Sequence, residues 1–215
     1  MFKSIKTSIV ALILVSTAII AHAQKKVAEG TLVFAVTANG TTTEVKTKFN
    51  GNLTKIEIEN GPALVNIISN TADKTGLLLI DVPVAQKQFA VKVSKAETEA
   101  QEALMPKYSD YKATGEKQTI AGFNAEKYTY KDDKGGAHEL WATKDVDIAA
   151  ITSGGLFKGL GALPVKYSAL INGVNSDLVL KSLSEAKVGA INTEVPAGYE
   201  VVTMEDLKAM QGGGE

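Results

Sequence analysis

Between Gly30 and Val93 apolar residues recur at every second position, and turn residues break the pattern at intervals of roughly ten residues. Leu32, Phe34 and Val36 alternate with Thr31, Val33 and Ala35 up to Asn39-Gly40. That dipeptide suits a type I′ hairpin turn, in which both central residues take positive φ. The return strand sets Thr43, Val45, Thr47 and Phe49 on one side and Glu44, Lys46 and Lys48 on the other, so one side faces water. Asn50-Gly51-Asn52 turns the chain again, Ile56 and Ile58 alternate with Lys55, Glu57 and Glu59, and Asn60-Gly61-Pro62 makes a third turn. The next two runs, Leu64 to Ile68 and Gly76 to Val82, have no polar side. Such runs are either covered on both sides or line a ligand cavity. Phe89, Val91 and Val93 then alternate with Gln88 and Lys92. The spacing predicts six strands in an antiparallel meander, sandwich or barrel.

The period changes after Val93. Ser94 and Glu97 form a capping box, Ala96, Ala100, Ala103 and Leu104 share a helical face, and Pro106 stops the pattern. One helix with a shallow, small-residue face is expected over Ser94 to Met105. Strands resume from Tyr111 to Trp141 around the turn Asp132-Asp133-Lys134-Gly135-Gly136. Asp147 to Thr152 reads as a short helix. Gly154 to Leu163 is apolar yet too rich in Gly to hold a helix well. It is either an ordinary connection or a mobile flap carrying Leu156, Phe157 and Leu160 at a cavity mouth. Val165 to Ile171 and Asp177 to Leu183 form a last hairpin around Asn172-Gly173, and Thr203 to Met210 a terminal helix before Gly212-Gly213-Gly214. With no internal repeat and no long linker, residues 24–215 read as a single domain.

The first 23 residues differ in kind. Lys3 and Lys6 precede an apolar run from Ile9 to Ile20, and Ala21-His22-Ala23 places small residues where a signal peptidase reads. The run is short of the roughly 20 residues of a membrane span. Residues 1–23 are therefore expected to be a cleaved signal peptide, and the mature chain to be periplasmic or secreted with no membrane span. No Cys follows the apolar run, which excludes lipid attachment there. Losing Lys3 and Lys6 moves the formal charge from −1 to −3. Every basic residue is Lys, so the group best suited to bidentate phosphate and base-edge contacts is missing, and no nucleic-acid partner is expected. There is no Cys, and His138 is the one His beyond the signal. Zinc, haem, blue-copper and iron–sulfur sites lack their usual ligands, so no metal or cofactor is expected.

Candidate chemistry is sparse. Gly154 to Gly161 lacks the Gly-Lys-Ser/Thr ending of a phosphate loop and the βαβ setting of a dinucleotide fingerprint. No Ser lies in a Gly-x-Ser-x-Gly context that would pair with His138, which reads as a strand-surface residue. Asp132, Asp133, Asp145 and Asp147 do not have the spacing of a calcium loop. Paired glycosidase carboxylates meet only in space, but the aromatic content of 6% leaves little stacking surface for a sugar. Trp141 and Leu140 point to opposite sides of one strand, so one of them faces the core.

Two stretches carry a resemblance. One is Ile120-Ala121-Gly122-Phe123-Asn124-Ala125-Glu126-Lys127-Tyr128 with Glu139-Leu140-Trp141-Ala142-Thr143-Lys144-Asp145-Val146; the other is Val195-Pro196-Ala197-Gly198-Tyr199-Glu200-Val201 with Met204-Glu205-Asp206-Leu207. They resemble a family of uncharacterised exported bacterial proteins, a domain of unknown function similar to the LolA-like periplasmic lipoprotein carriers. The resemblance implies a strongly curved antiparallel sheet, a half-barrel with one to three helices on its concave side, and in some members a bound acyl chain. It implies no catalytic residue. An acyl handover that depends on Arg is closed to this chain. Fold class α+β is expected, with a non-catalytic protein binding a lipid or acyl chain against Leu64, Ile67, Leu78, Ile80, Phe89 and Val91 and gated by Leu156, Phe157 and Leu160. The alternatives are an envelope interaction module with a filled core and, ranked lower, a hydrolase. Any protein partner is left open.

Overall fold

The structure, a computed structural model, describes residues 24–212 apart from Gly154 and Asn172. The expected signal peptide lies outside the described residues, as do two glycines of the terminal Gly run. The six expected strands form as β2 (Glu29–Ala38), β3 (Thr41–Asn50), β4 (Leu53–Asn60), β5 (Ala63–Asn70), β6 (Thr75–Val82) and β7 (Lys87–Val93), each hairpin-paired to the next. The Asn39-Gly40 turn has the positive φ at both residues that its sequence predicts. Helix α1 (Lys95–Leu104) starts at the Ser94–Glu97 capping box, in which each residue's side chain bonds the other's backbone N–H.

A second meander follows: β8 (Ser109–Ile120), β9 (Phe123–Lys131), β10 (Ala137–Thr143), β12 (Leu163–Ile171) and β13 (Val174–Ser184). Between β10 and β12 the chain makes a long excursion through β11 (Val146–Asp147) and α2 (Ala149–Thr152), and β11 pairs with β1 (Lys25–Lys26). The meanders join where β13 pairs antiparallel with β2, giving one open sheet in the order β14-β7-β6-β5-β4-β3-β2-β13-β12-β10-β9-β8. Strand β14 (Glu200–Val201) lies parallel to β7, and α3 (Met204–Gly212) follows it. The expected α+β class, an open and almost wholly antiparallel sheet with few helices, is the observed one.

The sheet cannot be flat. From β7 to β8 is ten strand steps, roughly 48 Å at about 4.8 Å per step. The chain that links them holds α1 and a few extended residues, a reach of roughly 35 Å at about 1.5 and 3.4 Å per residue. The two edges must therefore bend towards each other.

Residues paired across strands share a face. The first face carries Leu32, Phe34 and Phe49, and the excursion between β10 and β12 folds over part of it. Leu32, Phe49, Leu163, Val165 and Leu180 pack there with Val27, Ile148 and Ala150. Gly30 sits on this face because a Cβ would overlap the Ser184 carbonyl oxygen and crowd the Phe49 ring. The opposite face of β5–β7 is covered by the chain after β13. Ile191, Val195 and Tyr199 of that strap pack on Ile68, Leu77, Leu79 and Ala90. The Glu29 carboxylate anchors it by accepting the Val188 and Gly189 amides at 2.8 and 2.9 Å.

Candidate ligand-binding face

Strand register builds a patch on the first face. Ile56 pairs with Ile67, Ile67 with Leu78, and Leu78 with Val91; Ile58 pairs with Val65, Val65 with Ile80, and Ile80 with Phe89. These eight apolar side chains form two rows of four across β4–β7. Val91 is buried and the other seven are half-buried. No charged residue stands within the two rows; Lys87, paired with Val82, lies at their rim. The two runs without a polar side thus have two separate explanations. Ile68, Leu77 and Leu79 lie under the strap, while Ile67, Leu78 and Ile80 look out from the uncovered side.

The structure brings five of the sequence-derived candidates together here: Ile67, Leu78, Ile80, Phe89 and Val91. It puts Leu64 on the other face, paired with Asp81 and 44% exposed. Leu156, Phe157 and Leu160 belong to a different cluster, where Phe157 and Leu160 are buried among Tyr128, Tyr130, Leu140 and Ala142. The register adds Ile56, Ile58 and Val65. Their alternation was visible in the sequence, but which of their two faces stays open depends on the strap.

The rows lead towards an aromatic cluster along the same face. Phe34, paired with Val45, lies 6.2 Å from the Tyr167 ring. Tyr167 meets Phe157 edge-on at 4.9 Å, Phe157 stacks on Tyr108 at 5.5 Å, and Tyr130 lies 4.8 Å from Tyr108 and 5.7 Å from Tyr111. Single apolar letters scattered from Phe34 to Tyr167 carry no sequence signal that they meet. The hydroxyl of Tyr111 is buried and has no hydrogen-bond partner among the described residues. Such a group costs about 1–3 kcal/mol relative to a paired one. Burial pushes the Tyr111 phenol up to about 12, with neighbouring Tyr108 adding to it, and burial likewise takes Tyr167 to about 12. Tyr108 is raised by burial and then by Asp132 and Asp133, and Tyr130 is raised mainly by burial. All four are neutral donors at ordinary pH.

The remaining polar candidates are used locally. The Asp132 carboxylate meets His138 Nε2 at 2.8 Å and accepts the Lys134 and Gly136 amides, closing its own turn. The His138 bond, followed by the Gly136 amide, holds its carboxyl below the usual range. Asp145 accepts from Asn124, and Asp147 from the Thr152 hydroxyl. Among the described residues no group of three potential ligands converges on a metal position.

The first signature stretch forms one corner of the sheet, and the second lies at the opposite edge, on β14 and the start of α3. Lys127 pairs with Trp141 across β9 and β10 and bridges Glu139 at 2.9 Å, Tyr128 pairs with Leu140, and Thr143 is fully buried. The family described as a domain of unknown function, DUF4412, matches residues 28–153, which run from β2 through this corner into α2. The chain belongs to the DUF4412 family. No curated protein matches this DUF4412 chain. Its fold is similar to solved structures of PNGF-II (TM-score 0.49, 16% identity, 86% of this chain and 33% of that one). It is also similar to MucB (TM-score 0.34, 13% identity, 84% and 62%) and to a DUF1329 family protein from Desulfovibrio piger (TM-score 0.23, 13% identity, 76% and 86%). The DUF4412 chain thus spans about a third of the length of PNGF-II.

Proposed function

We propose that this DUF4412 protein is an exported, non-catalytic binder of an apolar ligand, a lipid or acyl chain, held on the open face of β4–β7. One observation carries the reading: eight uncharged apolar side chains are aligned on a face of β4–β7 that the fold leaves half-buried, while the other face of β5–β7 is covered by the chain's own strap. Contiguous apolar surface of this kind marks binding grooves and interaction sites. The lack of charge within the rows favours alkyl chains over polar solutes, which would leave polar groups unpaired.

Native mass spectrometry of the protein purified from its own compartment, followed by organic extraction, tests it. A stoichiometric added mass that extracts as lipid is the expected result. A bare mass together with no binding of fluorescent fatty-acid probes sinks the proposal.

A second reading, an interaction module whose apolar face meets a protein, is favoured by the openness of the face. Two surface depressions, of about 340 and 580 Å³, lie elsewhere, beside the Ile120 end of β8 and between β14 and α3. Under that reading Leu78→Lys disrupts a protein complex and leaves lipid content unchanged.

A further inference from the structure

We propose that one rim of the sheet, made by the β2–β3, β4–β5, β6–β7 and β12–β13 turns, docks on a lipid leaflet with Val84, Leu170 and Ile171 inserted. Antiparallel pairing fixes the rim: those turns lie at one end of the strands, and the β3–β4, β5–β6 and β8–β9 turns lie at the other. Apolar exposure divides unequally between the two ends. Val84, 80% exposed, sits in the β6–β7 turn, Leu170, 70% exposed, and Ile171 close β12, and Leu64 stands at the start of β5. Among the described residues no large exposed apolar side chain lies in a turn of the other end; the rest belong to the end of α1 and to β14 and α3. Exposed apolar residues scattered singly need no explanation, but a one-sided set marks a contact surface. None of Val84, Leu170 and Ile171 belongs to the apolar rows, so rim docking and ligand binding can fail separately.

The charges and the spacing favour a leaflet. The β2–β3 and β12–β13 tips are neighbours, because β13 pairs with β2, and they carry no charged residue from Thr37 to Thr42 or from Ala169 to Ser176. The flanking tips mix signs, with Glu59, Asp81 and Lys87 on one side and Lys131, Asp132, Asp133 and Lys134 on the other. Such a rim has nothing to draw it to anionic lipid, so insertion of the apolar tips must hold it. The β6–β7 and β12–β13 tips are six strand steps apart, roughly 29 Å along the sheet, with polar turns between them. A fluid leaflet closes round separate tips, whereas a protein partner needs a contiguous patch. The row of Ile58, Val65, Ile80 and Phe89 lies two residues inward from the β4–β5 and β6–β7 turns, so docking sets the proposed ligand face against a source of lipid.

Flotation of the purified protein with phosphatidylcholine vesicles, with and without phosphatidylglycerol and at low and high salt, tests the rim. The native chain is expected to float with both kinds at both salt concentrations. Leu170→Asp, and Val84→Asp on another hairpin, should each lower the partition coefficient about tenfold and leave the melting temperature unchanged. Leu78→Lys should float like the native chain. Since the chain has no Cys, a nitrobenzoxadiazole label at Val84→Cys should brighten on vesicles, and one at Ala72→Cys, in the β5–β6 turn of the opposite end, should not. No flotation, flotation that needs phosphatidylglycerol and is lost in high salt, or native flotation of both Asp variants overturns rim docking. Equal brightening at the two labels overturns it as well. Loss of flotation in Leu78→Lys overturns it by assigning vesicle capture to the apolar rows. A native dimer that Leu170→Asp makes monomeric, with no vesicle binding, overturns it in favour of a second copy on this rim. Each of these outcomes leaves the mass-spectrometric test of ligand binding untouched.

Discussion

Phe157 illustrates what a single residue says in sequence and what it says in space. Among glycines it reads as a flap; in the structure its ring is 8% exposed and touches three tyrosine rings. Phe157→Ala is expected to cost about 3–5 kcal/mol in urea unfolding. A loss near that of an exposed residue, within about 0.5 kcal/mol, would mean that the segment is not packed as described. The apolar character of Phe157 was legible; its partners were not, because they come from the residue before β8, from β9 and from β12, and no local period links those segments. The phenols give a second expectation. A group whose folded pKa is raised contributes stability below its unfolded pKa and loses it as pH rises towards the folded one. With Tyr111 and Tyr167 pushed up to about 12, thermal melts should show stability falling between roughly pH 10, the ordinary phenol value, and pH 12. Replacing Tyr167 by Phe should lessen the fall.

At the scale of elements, α1 and the strap are opposites. The cap, the small-residue face and the Pro stop made α1 readable, and the structure places it at Lys95–Leu104 with no buried residue and Leu104 87% exposed. It is held to the β5–β6 turn by Lys74, which bridges Glu99 and Glu102. Hydrogen exchange should therefore find α1 amides opening locally, faster than those of β6. Ser94→Ala should speed them further and leave the urea midpoint nearly unchanged, since a surface cap lost from an independently opening helix does not report on the core. The strap from Glu185 to Val202 was not readable beyond its Pro196–Tyr199 turn. It has almost no regular structure, and its hold depends on Glu29, Asn50 and the β7 edge, all far away in sequence. Truncation after Ser184 should uncover Leu77, Leu79 and Ala90, and a strong rise in binding of a hydrophobic dye would register it. Unchanged dye binding would mean that the strap leaves that face bare.

For the molecule as a whole, turn spacing and alternation gave the class and nearly every strand, because both are local. Alternation states which side chains share a face and says nothing about which strand lies next door. The β13–β2 pairing and the bend were therefore beyond its reach. The bend can be measured directly, since the chain has no Cys and two introduced thiols would be the only ones. Spin labels at Lys92→Cys on β7 and Ser109→Cys on β8 should be attached to backbone positions within roughly 38 Å of each other, the reach of the chain between them. A separation near the roughly 48 Å of a flat sheet would contradict the bend.

The β13–β2 junction also sets the order of events when the chain folds. Ser184 pairs with Thr31, so the middle of the sheet is made from opposite ends of the domain. A chain emerging N-terminus first can close β2 to β7 hairpin by hairpin, yet β2 keeps a bare edge until β13 arrives. Closing a loop of that length carries a large entropy cost before any contact repays it, so folding is slow and the half-made sheet is open to pairing with other copies. The most vulnerable species of this protein is thus a sheet split at its centre, with β2 waiting for its neighbour.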